Sequence, residues 1–136
     1  MKKEDLIPEK AEGIGVAIVK EKDEVGEDVW NVYFINFRKE VLNTVIIASK
    51  GYLTEDNGET IRTSTLRHMF DSVGAETAIR VEPIVEEVFK LNNEYWVSFY
   101  SGNELLDRKF VFLAETIDPK YFTNIPIIEK KGILIH

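Results

Sequence analysis

Short apolar segments with the two-residue periodicity of β-strands recur along most of the chain. Runs rich in β-branched and aromatic residues cover 13–20, 29–37 and 44–52, and the segment 76–84 alternates apolar with charged positions. Such residues favour the half-buried, pleated surface of a sheet. Because turn signals separate these runs, the pattern predicts an all-β, mainly antiparallel sandwich, with an α+β fold as the alternative.

Two dipeptides that contain glycine mark predicted hairpins. Asn57-Gly58 lies in EDNGET, just after the third apolar run, and Gly102-Asn103 divides the segment 95–113 into two further strands. Asn and Gly both tolerate the positive φ that tight hairpin turns require. The last residues, YFTNIPIIEKKGILIH, are too apolar for a disordered tail. We therefore expect them to pack as an extended strand or arm.

The predicted strands form a single domain over residues 1–136, in which 1–12 is expected to be a flexible or extended N-terminal arm. Pro83 lacks a backbone donor and is expected to end the regular pairing of its strand. The segment LNNEYWV (91–97) resembles the tyrosine corner of immunoglobulin-like domains, in which a Tyr hydroxyl bonds back to the loop that it closes. The sequence therefore predicts an immunoglobulin-like sandwich.

The segment TSTLRHMFDSVG (63–74) fits two templates. As a helix it places four residues on one apolar face, Leu66, Met69, Phe70 and Val73. Gly74 would then supply a C-terminal cap. As a strand it would place His68 on the same face as two apolar neighbours. The helical template accounts for more residues, so we predict one short helix near 65–73.

Composition excludes several classes of partner and site. The chain has 136 residues, a formal net charge of −7 and no cysteine. An acidic surface repels phosphate, so we expect no nucleic-acid partner. Without cysteine there are no disulfides and no thiolate zinc sites. No apolar run approaches the roughly 18 residues of a membrane helix and no signal-peptide pattern is present, so we expect a cytoplasmic protein that does not contact membranes.

His68 is the main candidate for acid–base chemistry. Together with Arg62 and Arg67 it supports the hypothesis of a small enzyme that acts on an anionic substrate. The sequence offers no strained turn for a nucleophile and no third group to orient the histidine, so we assign no catalytic residue. The sequence has two histidines, too far apart to suggest a ligand set, and GIG (13–15) precedes a strand. We therefore expect neither a metal nor a cofactor.

The segment 95–100 carries large side chains on both of its faces. Alternation places Tyr95, Val97 and Phe99 on one face and Trp96, Ser98 and Tyr100 on the other. A sandwich core covers only one face, so a helix, the C-terminal segment or a second copy of the chain must cover the other. We predict Trp96, Tyr100 and Trp30 as binding residues, and a homodimer or another protein partner.

These observations favour a non-enzymatic interaction or assembly module over the small enzyme. A third hypothesis is a carrier that encloses a small apolar ligand between its sheets, because the chain is rich in aromatic residues. A flat aromatic patch would favour the module, whereas a deep pocket lined by titratable groups would favour the enzyme.

The run WNVYFINFRKEVLNTVIIASKGY, with TSTLRH and LNNEYWVSFY, resembles a family of small bacterial proteins of the Bacteroidetes type that has no established catalytic residues. Such proteins sometimes carry the label phenylalanyl-tRNA synthetase alpha subunit. FRKE (37–40) is similar to the Phe-Arg-x-Glu of class II synthetase motif 2, whose arginine binds ATP phosphate. The chain is too short for that catalytic domain and no third motif is found, so the sequence does not support the label.

Overall fold

The computed structural model describes residues 11–136, so the arm predicted for 1–12 falls almost entirely outside the described residues. The strands in this range are β1 (Ile14–Lys22), β2 (Asp28–Asn36), β3 (Leu42–Thr54), β4 (Thr60–Arg62), β5 (Leu66–Val73), β6 (Thr77–Ile84), β7 (Asn92–Ser101), β8 (Glu104–Phe112), β9 (Thr123–Ile125) and β10 (Lys130–Ile135). Two 3₁₀ turns, Glu86–Lys90 and Pro119–Tyr121, lie in the connections after β6 and β8.

The strands form two antiparallel five-stranded sheets, which confirms the predicted β-sandwich. Sheet A has the order β6-β2-β1-β10-β9. Sheet B has the order β4-β3-β7-β8, and β5 pairs with β3 on the same side as β4. At 13 residues β3 is long enough to pair with both of them along one edge.

The core lies between the two sheets and follows the alternation of the strands. Its largest fully buried side chains include Tyr95, Phe34, Phe99, Phe110 and Phe112. On β7 the outward residues Trp96 and Tyr100 are 45% and 38% exposed, whereas Val97 is buried. The predicted division of this strand into a core face and an outer face is therefore confirmed.

The short helix predicted near 65–73 is wrong, because this segment forms β5. The strand pairs with β3 from Leu66 opposite Ser49 to Val73 opposite Leu42. A helix would leave the backbone donors and acceptors on this edge of β3 without these partners, and the strand satisfies them. Sheet pairing has overridden the local helical pattern, which is a weak guide when tertiary contacts compete with it.

The C-terminal residues form strands, as expected, and they extend sheet A. β10 pairs with β1, and β9 pairs with β10. Ile125 is buried against Ala17, Val19 and Ile35 in a second small core on the outer side of sheet A. The C-terminal segment therefore covers part of sheet A, and none of its strands lies over the outer side of sheet B.

Pro83 lies inside β6, and pairing continues for one residue beyond it, to Ile84 opposite Trp30. β6 is an edge strand of sheet A, where a proline can be accommodated because its missing N–H can face away from the ladder.

Both predicted hairpin turns are confirmed. Gly58 has φ 89° and Gly102 has φ 64°. Between β3 and β4 the Glu55 amide donates to the Glu59 carbonyl at 2.7 Å, and the Gly58 amide donates to the Glu55 carbonyl at 2.9 Å. Asn57 contributes through its side chain, whose Oδ1 accepts from the Glu59 amide at 2.9 Å. The turn therefore needs positive φ at the glycine.

Replacing Gly58 by valine should lower the free energy of unfolding by about 1 to 3 kcal/mol, because a β-branched residue adopts positive φ poorly. A Cβ at this position would meet nothing within 4 Å, so the loss would be conformational and not steric. Gly58→Asn is the matched control. Its free energy of unfolding should fall by less, because Asn tolerates positive φ. Urea denaturation measures the free energy of unfolding of all three proteins. Equal stability of wild type and Gly58→Val would contradict the requirement for positive φ at position 58.

Candidate functional site

A single carboxylate between the sheets collects side chains from three strands of sheet B. Glu82 on β6 has a side chain only 10% exposed. His68 Nε2 on β5 lies 2.7 Å from its Oε1, and the Ser49 hydroxyl on β3 donates to the same oxygen at 3.0 Å. The Tyr95 hydroxyl on β7 donates to Oε2 at 3.3 Å. We refer to these four residues as the Glu82 cluster.

A β-bulge turns Glu82 toward the core. The alternation of β6 predicts that Glu82 shares the solvent face with Arg80. The pairing with β2 shifts between Val32 and Tyr33, so that Val32 lies opposite Glu82 and Tyr33 lies opposite Arg80. One extra residue, Val81, sits in the bulge, and the side chains on either side of it point to opposite faces. A prediction from strict alternation therefore places Glu82 on the wrong face of β6.

The order of groups in the Glu82 cluster does not match a nucleophilic triad. In such a triad the histidine lies between the hydroxyl and the carboxylate, so that it can take the hydroxyl proton. Here the carboxylate lies between Ser49 and His68, and both approach Oε1. Burial and the neighbouring Glu82 charge raise the pKa of Tyr95 well above its ordinary value, so its hydroxyl stays a hydrogen-bond donor.

Tyr95 is also the tyrosine of the predicted tyrosine corner. Its hydroxyl donates to the side chain of Glu82, not to the backbone of the loop before β7. The interaction links the two sheets and has a different role from the corner of an immunoglobulin-like domain.

The structure does not bring the three residues of the enzyme hypothesis together. His68 faces the interior, whereas Arg67, its neighbour on β5, lies opposite Ala48 on the outer face of sheet B. Arg62 on β4 lies opposite Tyr52 and is exposed on that same outer face. An anionic substrate could not contact the histidine and these arginines at one site.

Replacing His68 by glutamine should leave the fold and any interaction of the protein nearly intact, because an amide can still donate to Glu82. We expect a loss of less than about 1 kcal/mol in the free energy of unfolding. His68→Leu is the matched control and should lose more, about 1 to 3 kcal/mol, because it removes a donor from a buried carboxylate. Urea denaturation compares them, and equal losses would show that the contact with Glu82 is not a stabilising one.

The outer side of sheet B carries a group of exposed apolar side chains. We call it the Trp96 face, and its apolar members are Ile46, Met69, Trp96, Tyr100 and Leu105. A shallow groove of about 350 Å³ runs between Trp96 and Arg67. The Lys109 ammonium lies 5.5 Å from the centre of the Trp96 ring, within the range of a cation–π contact.

Cross-strand pairing arranges this face in rows. One row, the Trp96 row, contains Arg67, Ala48, Trp96 and Lys109. The next row, the Ile46 row, contains Met69, Ile46, Ser98 and Asp107. On the edge strand β8, Lys109 and Asp107 therefore lie two residues apart on the same face.

Trp30 does not belong to the Trp96 face. It is 7% exposed and packs edge-on against Phe89 and Phe122 in the core. Its Nε1 donates to Glu86 at 2.9 Å. Of the three predicted binding residues, the structure brings Trp96 and Tyr100 to one surface and places Trp30 elsewhere.

A second carboxylate cluster lies on the outer side of sheet A. Glu21 Oε2 accepts from Asn31 Nδ2 at 2.6 Å and from the Tyr33 hydroxyl at 2.8 Å, and Lys130 lies 3.4 Å from Oε1. Burial alone would raise the pKa of Glu21, but the bonds from Asn31, Tyr33 and Lys130 together lower it. Burial and the bond to Glu21 raise the pKa of Tyr33 to about 12.

The raised pKa of Tyr33 predicts a loss of stability at high pH. A group whose folded pKa exceeds its unfolded value stabilises the fold below the unfolded pKa, and this contribution disappears as the pH rises through the folded one. The part due to Tyr33 should therefore disappear between about pH 10 and pH 12. Urea midpoints across this range measure the effect, and Tyr33→Phe should show a smaller decline. An identical decline in both proteins would contradict the assignment.

The FRKE segment follows β2 and closes the end of the sandwich. The Arg38 guanidinium donates to the Glu12 carbonyl at 3.1 Å and to the Ser101 hydroxyl at 3.3 Å. It also lies 5.7 Å from the centre of the Phe99 ring. These contacts give the arginine a structural role in joining neighbouring segments of the chain.

No protein-family model matches the chain, and no curated protein matches it either. Within residues 11–136 no three side chains of the metal-binding types come together as a ligand set. None of the helical segments in that range has the length and apolar character needed to cross a membrane.

Proposed function

We propose that this protein is a non-enzymatic β-sandwich interaction module that binds through the Trp96 face, and that its partner is a second copy of the same chain. The observation that carries the proposal is the 45% exposure of Trp96 in the middle of a sheet face. Tryptophan and tyrosine are enriched among the residues that contribute most to binding at interfaces.

The Trp96 face is open along the described part of the chain. β9 and β10, which could have covered it, extend sheet A instead. The side chains of Ile46, Met69 and Leu105 add aliphatic surface around the two aromatic rings. An exposed cluster of this kind, flanked by charged residues, is typical of a surface that associates with another protein.

The charge pattern of the face supports a second copy as the partner. Consider a two-fold axis that lies between the Trp96 row and the Ile46 row and runs parallel to both. It places the Trp96 row of one copy against the Ile46 row of the other. Lys109 of each copy then faces Asp107 of its partner, so the two charges are complementary in both directions.

The size of the face sets the expected strength of the dimer. Four strands spaced about 4.8 Å apart and about six residues long span a flat area of roughly 400 Å². A standard interface buries about 800 Å² of accessible surface on each partner. We therefore expect a weak dimer that dissociates in the micromolar range.

Trp96→Glu should shift the protein toward the monomer, because the dimer would lose its central aromatic side chain and would have to desolvate a charge in its place. Val25→Glu, at an exposed apolar position in the loop between β1 and β2, is the matched control and should leave association unchanged. Sedimentation velocity from low to high micromolar concentration measures the monomer fraction. A wild-type monomer with no concentration dependence would refute the proposed dimer.

A charge exchange tests the orientation of the two copies. Lys109→Asp and Asp107→Lys should each weaken the dimer, because each places like charges opposite one another, and the double variant should restore it. The exposed pair of Lys22 and Asp28, 2.7 Å apart on β1 and β2, provides the control exchange and should have no effect. Failure of the double variant to recover would exclude this axis while leaving the Trp96→Glu test intact.

We further infer an immunoglobulin-like arrangement and a place in the bacterial cytoplasm for this module. Support for the first comes from the two antiparallel sheets. Support for the second comes from the resemblance of its β2–β3 region to small bacterial proteins. The net charge of −7 argues against a nucleic-acid partner.

A further inference from the structure

A cavity of about 360 Å³ opens between the sheets beside the Glu82 cluster, at the end where β6 leads into the turn Glu86–Lys90. Binding sites for small molecules have volumes of about 300 to 1,000 Å³. The aliphatic part of its wall comes from Leu66, Ile84, Val85 and Val88. Leu66 and Val85 are themselves exposed, so they mark the mouth of the cavity.

Of the four side-chain hydroxyls in the wall of this cavity, all but that of Ser64 already donate to a partner. Ser49 and Tyr95 both donate to Glu82. The Thr63 hydroxyl donates to the Ser64 carbonyl at 2.9 Å. A ligand that needed hydrogen-bond donors from these hydroxyls would have to displace an existing bond at each of them.

Acceptors, in contrast, remain available. Asn93 is 5% exposed, and its Nδ2 donates to the Val88 carbonyl at 2.9 Å and to the Leu91 carbonyl at 3.1 Å. These two bonds fix the orientation of the amide. Oδ1 lies beside Gly51, which also lines the cavity, and it accepts no hydrogen bond from the described residues. Glu82 Oε2 holds only the long bond from Tyr95, and a carboxylate can accept about four donors in all.

Among the described residues that line the cavity, Glu82 carries a carboxylate and Lys50 an ammonium. Lys50 lines the rim, but its ammonium lies 3.9 Å from Glu94 on the outer face of sheet B. His68 and Ser49 approach Glu82 through Oε1, so Oε2 is the carboxylate oxygen with the fewer donors. A buried carboxylate next to an unused amide oxygen favours a cationic group with several N–H donors.

We propose that this cavity binds a small amphiphilic primary ammonium compound. Its aliphatic chain lies against Ile84, Val85 and Val88, and its ammonium group donates to Glu82 and to Asn93 Oδ1. An ammonium group has three donors, which matches the two free acceptors and leaves one for water. The site is separate from the Trp96 face, which lies on the other side of sheet B.

The probe is hexylamine, with hexan-1-ol and hexanoate as analogues of the same chain length. Amide chemical shifts of the ¹⁵N-labelled protein are followed in titrations at about pH 8, where an alkylammonium is charged. We expect saturable shifts around Ser49, Glu82 and Val88 with hexylamine, binding about tenfold weaker with hexanol, and none with hexanoate. The absence of saturable shifts with hexylamine, or equal affinity for hexanol, would overturn the proposal.

Four variants test where hexylamine binds. Glu82→Gln should reduce the affinity for hexylamine to that for hexanol, whereas Glu21→Gln, which changes the carboxylate on sheet A, should leave both affinities unchanged. Val85→Trp fills the mouth of the cavity at an exposed position and should abolish the shifts for both compounds. This variant decides the matter even if Glu82→Gln does not fold, because persistent binding of hexylamine would place the site elsewhere. Trp96→Glu should bind hexylamine as wild type does, so the two proposals fail or succeed separately.

Discussion

The burial of the Glu82 carboxylate constrains how the two sheets meet. A carboxylate removed from water destabilises a fold unless donors replace the lost hydration. Ser49, His68 and Tyr95 supply these donors from three neighbouring strands of sheet B. Because each side chain must reach one carboxylate, β3, β5 and β7 have little freedom to slide relative to β6. Polar contacts within an otherwise apolar core thus specify one alignment of the sheets, which hydrophobic packing alone defines less sharply.

The same requirement explains why the segment around His68 is a strand. In a strand paired with β3, His68 lies opposite Ile47 and faces inward, within reach of Glu82. A helix on the edge of sheet B would leave β3 unpaired there, and nothing would hold the imidazole near the carboxylate. The cavity depends on this arrangement as well, since β5 and β6 both contribute to its lining through Leu66 and Ile84.

Sequence periodicity predicted what depends on local pattern and missed what depends on pairing. The strands, both hairpins and the two faces of β7 could be predicted, because each follows from alternation or from a turn glycine such as Gly58. The strand β5 could not be predicted, because its local pattern is helical and the edge of β3 with which it pairs exists only in the folded chain. The Glu82 cluster could not either, because one extra residue at Val81 reverses the face on which the carboxylate lies. The outward position of Trp96 and Tyr100 could be predicted from the sequence, because β7 alternates regularly there and contains no bulge.

Adjacent residues of one strand serve the two proposed sites. Tyr95 points inward and bonds to Glu82, whereas Trp96 points outward under Lys109. The pleat of β7 therefore places the proposed ligand cavity and the proposed association surface on opposite sides of a single layer, about one sheet thickness apart. Since a rigid strand connects them, a ligand that draws Tyr95 and Glu82 together could alter the Trp96 face only by shifting β7 against β3. The long ladder between these two strands, from Tyr52 to Asn43, resists such a shift. The two sites are therefore expected to bind independently.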